Sequence, residues 1–299
     1  MPINENGMNS DFVKYFSLEE YSEKIKLSST LLSHLDETTI GFDKYIEELL
    51  RYDEKFIIKY WMNSLYEELR SSNSIENIKF NERSLLETDL LFNRLTISHK
   101  KIYDIHNFVV KNESPVAFEY RKVPVNVSRI NPDNTETIFW RGANPEDVYK
   151  FMNDFINIYK LSRTSLIYSN PFLSSSLMHL LFDRIHPFTD GNGRTARIIH
   201  NLKFTEGINK IYGTKLKLSP LNLSSSILRN KITYVKRINN IYFDLEHNTN
   251  EAINAWFEFC LDMADEQIYY QRNMLMKHEE AIKKMDNPYK IVRKLSKWK

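Results

Sequence analysis

His186-Pro187-Phe188-Thr189-Asp190-Gly191-Asn192-Gly193-Arg194-Thr195-Ala196-Arg197 holds two of the seven glycines in a chain of 299 residues, one on each side of Asn192. Upstream, Leu173, Leu177, Leu180, Leu181 and Ile185 recur at helical spacing. Pro187 disfavours helical geometry at His186 and so ends that helix. Downstream, Ala196, Ile198, Ile199 and Leu202 repeat the helical pattern. The stretch therefore reads as helix, tight glycine-containing loop, helix.

Such a loop suits a phosphate. Its amides converge near a helix N-terminus, where unpaired N–H groups and the macrodipole both favour an anion. Arg194 and Arg197 are three residues apart, so one helix face can carry both guanidiniums toward one phosphate chain. Asp190 is a hard oxygen ligand placed to hold Mg2+ on that chain. His186 lies across the loop with a side chain able to take a proton near neutrality. Phe188 is expected to point inward and pin the loop.

These residues resemble the signature of the Fic family, H-x-F-x-D/E-G-N-G-R-x-x-R, with every defining position filled. The resemblance implies a mostly α fold, a Fic-type helical bundle with a small β-hairpin flap beside the active loop. It also implies transfer of AMP from ATP to a Ser, Thr or Tyr hydroxyl of a target protein. His186 would then deprotonate the acceptor, and Asp190 would hold Mg2+ between the α- and β-phosphates. The amides of Gly191 to Gly193 and the Asn192 side chain would form the anion hole, with Arg194 and Arg197 clamping the β- and γ-phosphates. A Fic subgroup that resembles kinases replaces the second glycine by lysine; Gly193 argues for nucleotidyl transfer.

A second motif lies upstream. Ser72, Glu76 and Asn77 resemble the family's inhibitory pattern S/T-x-x-x-E-G/N, with Ser72 and Glu76 on one helical face and Asn77 able to close the helix in left-handed geometry. A salt bridge from Glu76 to Arg197 is the expected inhibited state. Two alternatives remain: a de-AMPylating hydrolase in which Glu76 orients water, and a locked nucleotide-binding regulator.

Composition narrows the class. Hydrophobic residues make 42% and charged residues 27%, an ordinary balance for a globular protein. A net charge of +2 argues against nucleic acid as the main partner. The single cysteine, Cys260, excludes an internal disulfide and a cysteine-rich zinc site. No apolar run approaches the roughly 18 residues of a membrane span. The opening residues lack an apolar signal core, so a cytoplasmic location is expected.

Along the chain, residues 1–11 read as a disordered tail, 12–95 as an N-terminal helical region carrying the inhibitory helix, 96–270 as the catalytic core and 271–299 as a helical tail. Helices are expected over about 17–35, 43–70, 82–112, 145–161, 225–240 and 250–265. The 43–70 stripe runs through Ile46, Leu49, Leu50, Phe56, Ile57, Tyr60, Trp61, Leu65 and Leu69. Between 120 and 140, alternating valines, the turn Asn131-Pro-Asp-Asn134 and the run Thr137 to Trp140 read as a β-hairpin. By resemblance this hairpin is the flap that docks the target protein through main-chain pairing. Tyr234 resembles the family's aromatic beside the nucleotide base or ribose. His179 and His200 read as core histidines. The resemblance also implies homodimerisation.

Overall fold

Asn170 caps the helix at the centre of the fold, its Oδ1 accepting from the amides of Phe172 (2.9 Å) and Leu173 (3.2 Å), with Pro171 in the first turn. That helix spans Pro171–Ile185, and each of its 15 residues is buried, as only a helix surrounded on all sides can be. In this computed structural model the described residues are 22–81, 96–111, 113, 116–130, 135–161, 165–217, 219–247 and 250–283. The expected tail at 1–11, the start of the first helix, the 82–95 helix, the 131–134 turn and the basic C-terminal end lie outside them.

In chain order the elements are α1 (Ser29–Leu49), α2 (Glu54–Ile75), α3 (His99–Val109), β1 (Asn126–Ile130), β2 (Glu136–Arg141), α4 (Pro145–Lys160), α5 (Leu166–Ser169), α6 (Pro171–Ile185), α7 (Asn192–Tyr212), α8 (Leu223–Arg229), α9 (Lys231–His247) and α10 (Glu251–Lys283). Among the described residues the two strands make the only sheet, an antiparallel pair with Asn126 opposite Arg141 and a bulge between Val127 and Ser128.

Around α6 the core is aromatic. The Trp256 indole donates to the carbonyl of Ser176 at 3.0 Å and stacks edge-on against His179. Phe42 of α1 meets Phe172 and Phe204 edge-to-face at 5.5 Å each. Helix α1 packs along α10, and both share the core that carries α6 and α7. Helix α10 runs without a break from Glu251 to Lys283, past the helix end expected near 265.

Two further helix boundaries differ from expectation. The apolar stripe read as one helix over 43–70 is divided between α1 and α2. Asp53 starts α2, its Oδ1 accepting from the Phe56 amide at 2.9 Å. Apolar spacing continues across the break, and the capping acid sets the new start. The expected helix at 225–240 is likewise two, separated at Asn230.

His34 ties α1 to α10. Its Nδ1 meets Glu258 Oε2 at 2.5 Å and its Nε2 meets Asp265 Oδ2 at 2.9 Å. Burial pulls its pKa down, but the hydrogen bonds and charges of Glu258 and Asp265 outweigh burial and leave it above the ordinary 6.5. A raised folded pKa contributes stability that is fully present below 6.5 and is lost as pH rises through the folded value. We expect the difference in Tm between the wild type and His34→Ala to be largest below pH 6.5 and to shrink at higher pH. A difference that stays constant across that range contradicts the assignment.

Candidate active site

Helix α6 ends at Ile185 and hands the chain to His186, which has φ 52° and ψ 59°. The residue before a proline favours extended backbone, and a non-glycine residue at positive φ is held there by its surroundings. Here the holding is visible. The Arg121 guanidinium donates from Nε to the His186 carbonyl at 2.6 Å and from Nη2 to that of Ala143 at 2.5 Å.

The loop after His186 is stapled from inside. The Asn192 side chain donates from Nδ2 to the Phe188 carbonyl (2.8 Å) and accepts at Oδ1 from the Phe188 amide (2.9 Å). Phe188 points inward, as expected, and stacks on the His106 ring at 3.7 Å between centroids. His106 Nε2 donates to the Asp190 carbonyl at 3.0 Å. Gly191 caps α7 at φ 73°, with a side chain of Val110 where a Cβ would stand, 2.4 Å away. Only glycine fits there.

His186 Nδ1 lies 3.1 Å from the carbonyl of Asp183, an acceptor. Nδ1 therefore carries the hydrogen, and Nε2 carries the lone pair. Burial, with the Arg121 charge adding to it against the opposing Asp183 carbonyl, lowers the imidazole pKa to about 4. The ring is neutral at physiological pH, and the side chain remains 15% exposed. That is the state a general base requires.

Arg194 and Arg197 lie on the first turns of α7 and are almost wholly buried, at 1% and 3% exposure. One carboxylate serves both. Glu76 Oε2 accepts from Arg194 Nε and Glu76 Oε1 from Arg197 Nη2, each at 2.7 Å. Ser72 adds two acceptors for Arg197, Oγ at 2.8 Å and the carbonyl at 2.9 Å. Arg194 Nη1 donates to Glu113 Oε1 and to the Val109 carbonyl, both at 2.8 Å. Glu76 is delivered by the end of α2. There Ile78 N–H bonds the carbonyl of Asn73 (3.0 Å) and Asn77 N–H that of Ser74 (3.1 Å), with Asn77 at φ 60°. This is the Schellman arrangement, and asparagine tolerates its left-handed residue. A Cβ on Gly193 would stand 2.8 Å from Glu76 Oε1, so glycine is what allows the carboxylate so close.

The structure thus gathers His186, Asp190, Gly191, Asn192, Gly193, Arg194, Arg197, Ser72, Glu76 and Asn77 at one end of α7. Three placements differ from expectation. Glu76 pairs with both arginines rather than with Arg197 alone. The Asn192 side chain is committed to the Phe188 backbone, so it is a loop staple; what it offers an anion is its main-chain amide. Tyr234 is buried, its ring beside Trp256 and Phe259, its hydroxyl 3.0 Å from His179 Nε2 and 3.5 Å from Arg197 Nη1. It stands behind Arg197, where a base could not stack on it without opening the core. His179 and His200 are core residues with pKa values lowered by burial. Arg121, His106 and Glu113 escaped the sequence reading. A basic residue two places before an alternating valine run was the one available cue for Arg121.

Residues 96–203 match the Fic/DOC family along their whole length. They are a Fic/DOC family domain. The protein adenylyltransferase fic-1 of Caenorhabditis elegans is 34% identical over 107 residues, and the protein adenylyltransferase Fic of Nematostella vectensis is 38% identical over 107 residues. Each alignment covers 36% of this chain and about a fifth of the relative, 19% and 22%. Among solved structures, a Fic family protein from Desulfovibrio desulfuricans superposes with a TM-score of 0.58 at 15% identity, over 83% of this chain and 76% of that one. A Fic domain containing signaling protein from Bacteroides thetaiotaomicron gives 0.56 at 16%, over 80% and 98%. At those identities the likeness is one of fold. No helix of the described residues is long and apolar enough to cross a membrane.

Replacing Glu76 by Gln keeps the shape and removes the charge between two buried guanidiniums. A hydrogen bond to a charged group contributes about 1.5–3 kcal/mol, and Arg194 retains Glu113. We expect Glu76→Gln to lose about 1–3 kcal/mol in urea unfolding. A loss within error of zero contradicts a shared carboxylate.

Proposed function

We propose that this chain transfers AMP from ATP to a hydroxyl of a target protein and that Glu76 holds the site inactive at rest. The observation that carries the reading is the pairing of a neutral imidazole with two buried guanidiniums at the N-terminus of α7.

The residues fit a triphosphate. Among the described residues Arg194 Nη2 is buried without a hydrogen-bond partner, and Asp190 Oδ2 lies 3.9 Å from it. A donor left in that position awaits an acceptor. Asp190 offers one carboxylate, 61% exposed, as a bound Mg2+ requires when phosphates supply most of its oxygens. Such an ion would neutralise charge on the pyrophosphate leaving group. The amides of the Gly191–Gly193 turn would take phosphate oxygens, Arg194 and Arg197 would clamp the distal phosphates, and His186 Nε2 would take the proton of the attacking hydroxyl. Nδ1–H stays on the Asp183 carbonyl and steadies the ring throughout.

Glu76 supplies the inhibition. Glu76 already pairs with both guanidiniums, so a triphosphate either displaces Glu76 or lies in an unreactive pose. A target protein would dock along the edge of the β1–β2 hairpin. Self-association and a cytoplasmic setting complete the reading, with nucleic acid outside it.

The test is incubation with α-labelled ATP and Mg2+. Glu76→Gly is expected to raise labelling of the protein itself or of added target strongly over wild type. Adding His186→Ala to it is expected to remove that labelling by about 10²–10⁴-fold, the effect of losing a general base, while ATP still binds. Absence of labelling in a folded Glu76→Gly protein would leave a nucleotide-binding regulator. Release of AMP from modified protein by wild type, abolished by Glu76→Gly, would favour the hydrolase.

A further inference from the structure

Arg121 is a buried cation whose side-chain partners among the described residues are all main-chain carbonyls. Nε donates to His186 (2.6 Å), Nη1 to Val123 (2.8 Å), and Nη2 to Ala143 (2.5 Å) and Ile185 (3.3 Å). Its own amide donates to the Pro187 carbonyl at 2.9 Å. Burial alone lowers its pKa, to about 10, so it stays charged. A buried charge with no counterion among the described residues is a poor way to stabilise a fold, since an apolar side chain of similar volume does so at less expense. The five bonds join two regions. Val123 and Ala143 are the two roots of the hairpin, and Ile185, His186 and Pro187 are the turn that presents the imidazole. Gly142 permits the approach, because a Cβ there would meet Arg121 Nη2 at 2.6 Å and His186 Cβ at 3.0 Å. Two main-chain bonds follow the same seam, Gly142 N–H to Val125 O (3.1 Å) and Ala143 N–H to Ile185 O (3.2 Å).

We propose that Arg121 is a positioning residue of the transfer reaction, its guanidinium holding His186 in the left-handed turn that aims the imidazole and making the base of the hairpin and the catalytic base one rigid body. Left-handed geometry is costly for a non-glycine residue. Without the guanidinium, His186 relaxes toward the extended backbone that a following proline prefers, and the ring leaves the clamp. The same contact places a hairpin-docked target in fixed register with Nε2. Three charged or titratable groups face the ring: Arg121 from the segment before the hairpin, Asp183 from α6 with Oδ1 at 4.0 Å from Nδ1, and Asp190 from the loop. Of these Arg121 disfavours protonation of the imidazole, so removing it raises the pKa of His186.

This inference rests on the transfer reading for its kinetics but not for its structural arm. In the Glu76→Gly background, Arg121→Gln is expected to lower kcat by at least about tenfold, against about 10²–10⁴-fold for losing the general base itself, with KM for ATP within about twofold. The acid limb of the rate profile should move to higher pH, and Arg121→Lys should recover part of both. In the nucleotide-free protein, 15N NMR of the His186 ring should show a raised pKa in Arg121→Gln and loss of the single Nδ1–H tautomer. A ring pKa and tautomer unchanged from wild type would overturn the proposal, as would a rate loss matching only the fraction unfolded. Failure of Arg121→Lys to fold would assign Arg121 to stability alone and overturn it too. If Glu76→Gly transfers nothing, the transfer reading falls, and the NMR result still decides whether Arg121 sets the ring.

Discussion

Two guanidiniums one turn apart, both nearly inaccessible, at the positive end of a 21-residue helix are what the remaining structure answers to. Their charges add to the partial charge of the α7 N-terminus. Such a concentration of positive charge inside protein is untenable without an anion. Glu76 supplies it from α2, Glu113 from the turn after α3, and Asp190 from the loop at longer range. The site is therefore an anion site by necessity. What varies is whether the anion belongs to the chain or arrives from outside.

Helix α2 is shaped to deliver its carboxylate. Glu68, Ser72 and Glu76 follow one another at intervals of four, so one face meets α7 along its length. Glu68 is buried, and burial raises its pKa despite hydrogen bonds from Ser224 and Asn201 that favour its charged form. Ser71 bonds Ser225 of α8 at 2.9 Å. The helix is thus held laterally by polar pairs and by Leu65 and Leu69, while only its last turn carries the ionic contact. A partner acting on that last turn could move Glu76 without lifting the whole helix from the core.

Much of the site was legible because it is local. His186 to Arg197 lie within twelve consecutive residues, and the glycines, proline and arginines each follow from backbone needs that short sequence encodes. Ser72, Glu76 and Asn77 were legible for the same reason, although Arg194's share in Glu76 was not. Arg121, His106 and Glu113 were not legible because their partners lie 65, 84 and 81 positions away, and two of the three act on carbonyls. Every residue has a carbonyl, so such contacts leave no pattern in the letters. Tyr234 is ambiguous for a related reason: an aromatic on a helix reads alike whether it faces a ligand or Trp256. In the fold, apolar spacing located the helices, while the break before α2 depended on one capping acid, Asp53, set within a continuous apolar stripe.

On the proposed reading, charge alone does not explain why Glu76 would win against ATP, since one carboxylate competes with a polyanion. The advantage is entropic. Glu76 is presented by a closed helix end at the effective concentration of an intramolecular group, millimolar or higher, and ordering it costs little because its amide is already held by the carbonyls of Asn73 and Ser74. A nucleotide brings more charge but must be gathered from solution and must find the guanidiniums turned toward it. Loosening the last turn of α2 therefore shifts the competition more than strengthening the cradle does. On this argument the sensitive part of the molecule is the left-handed residue Asn77 and the turn before it, a feature of the backbone rather than of the ionic groups that it positions.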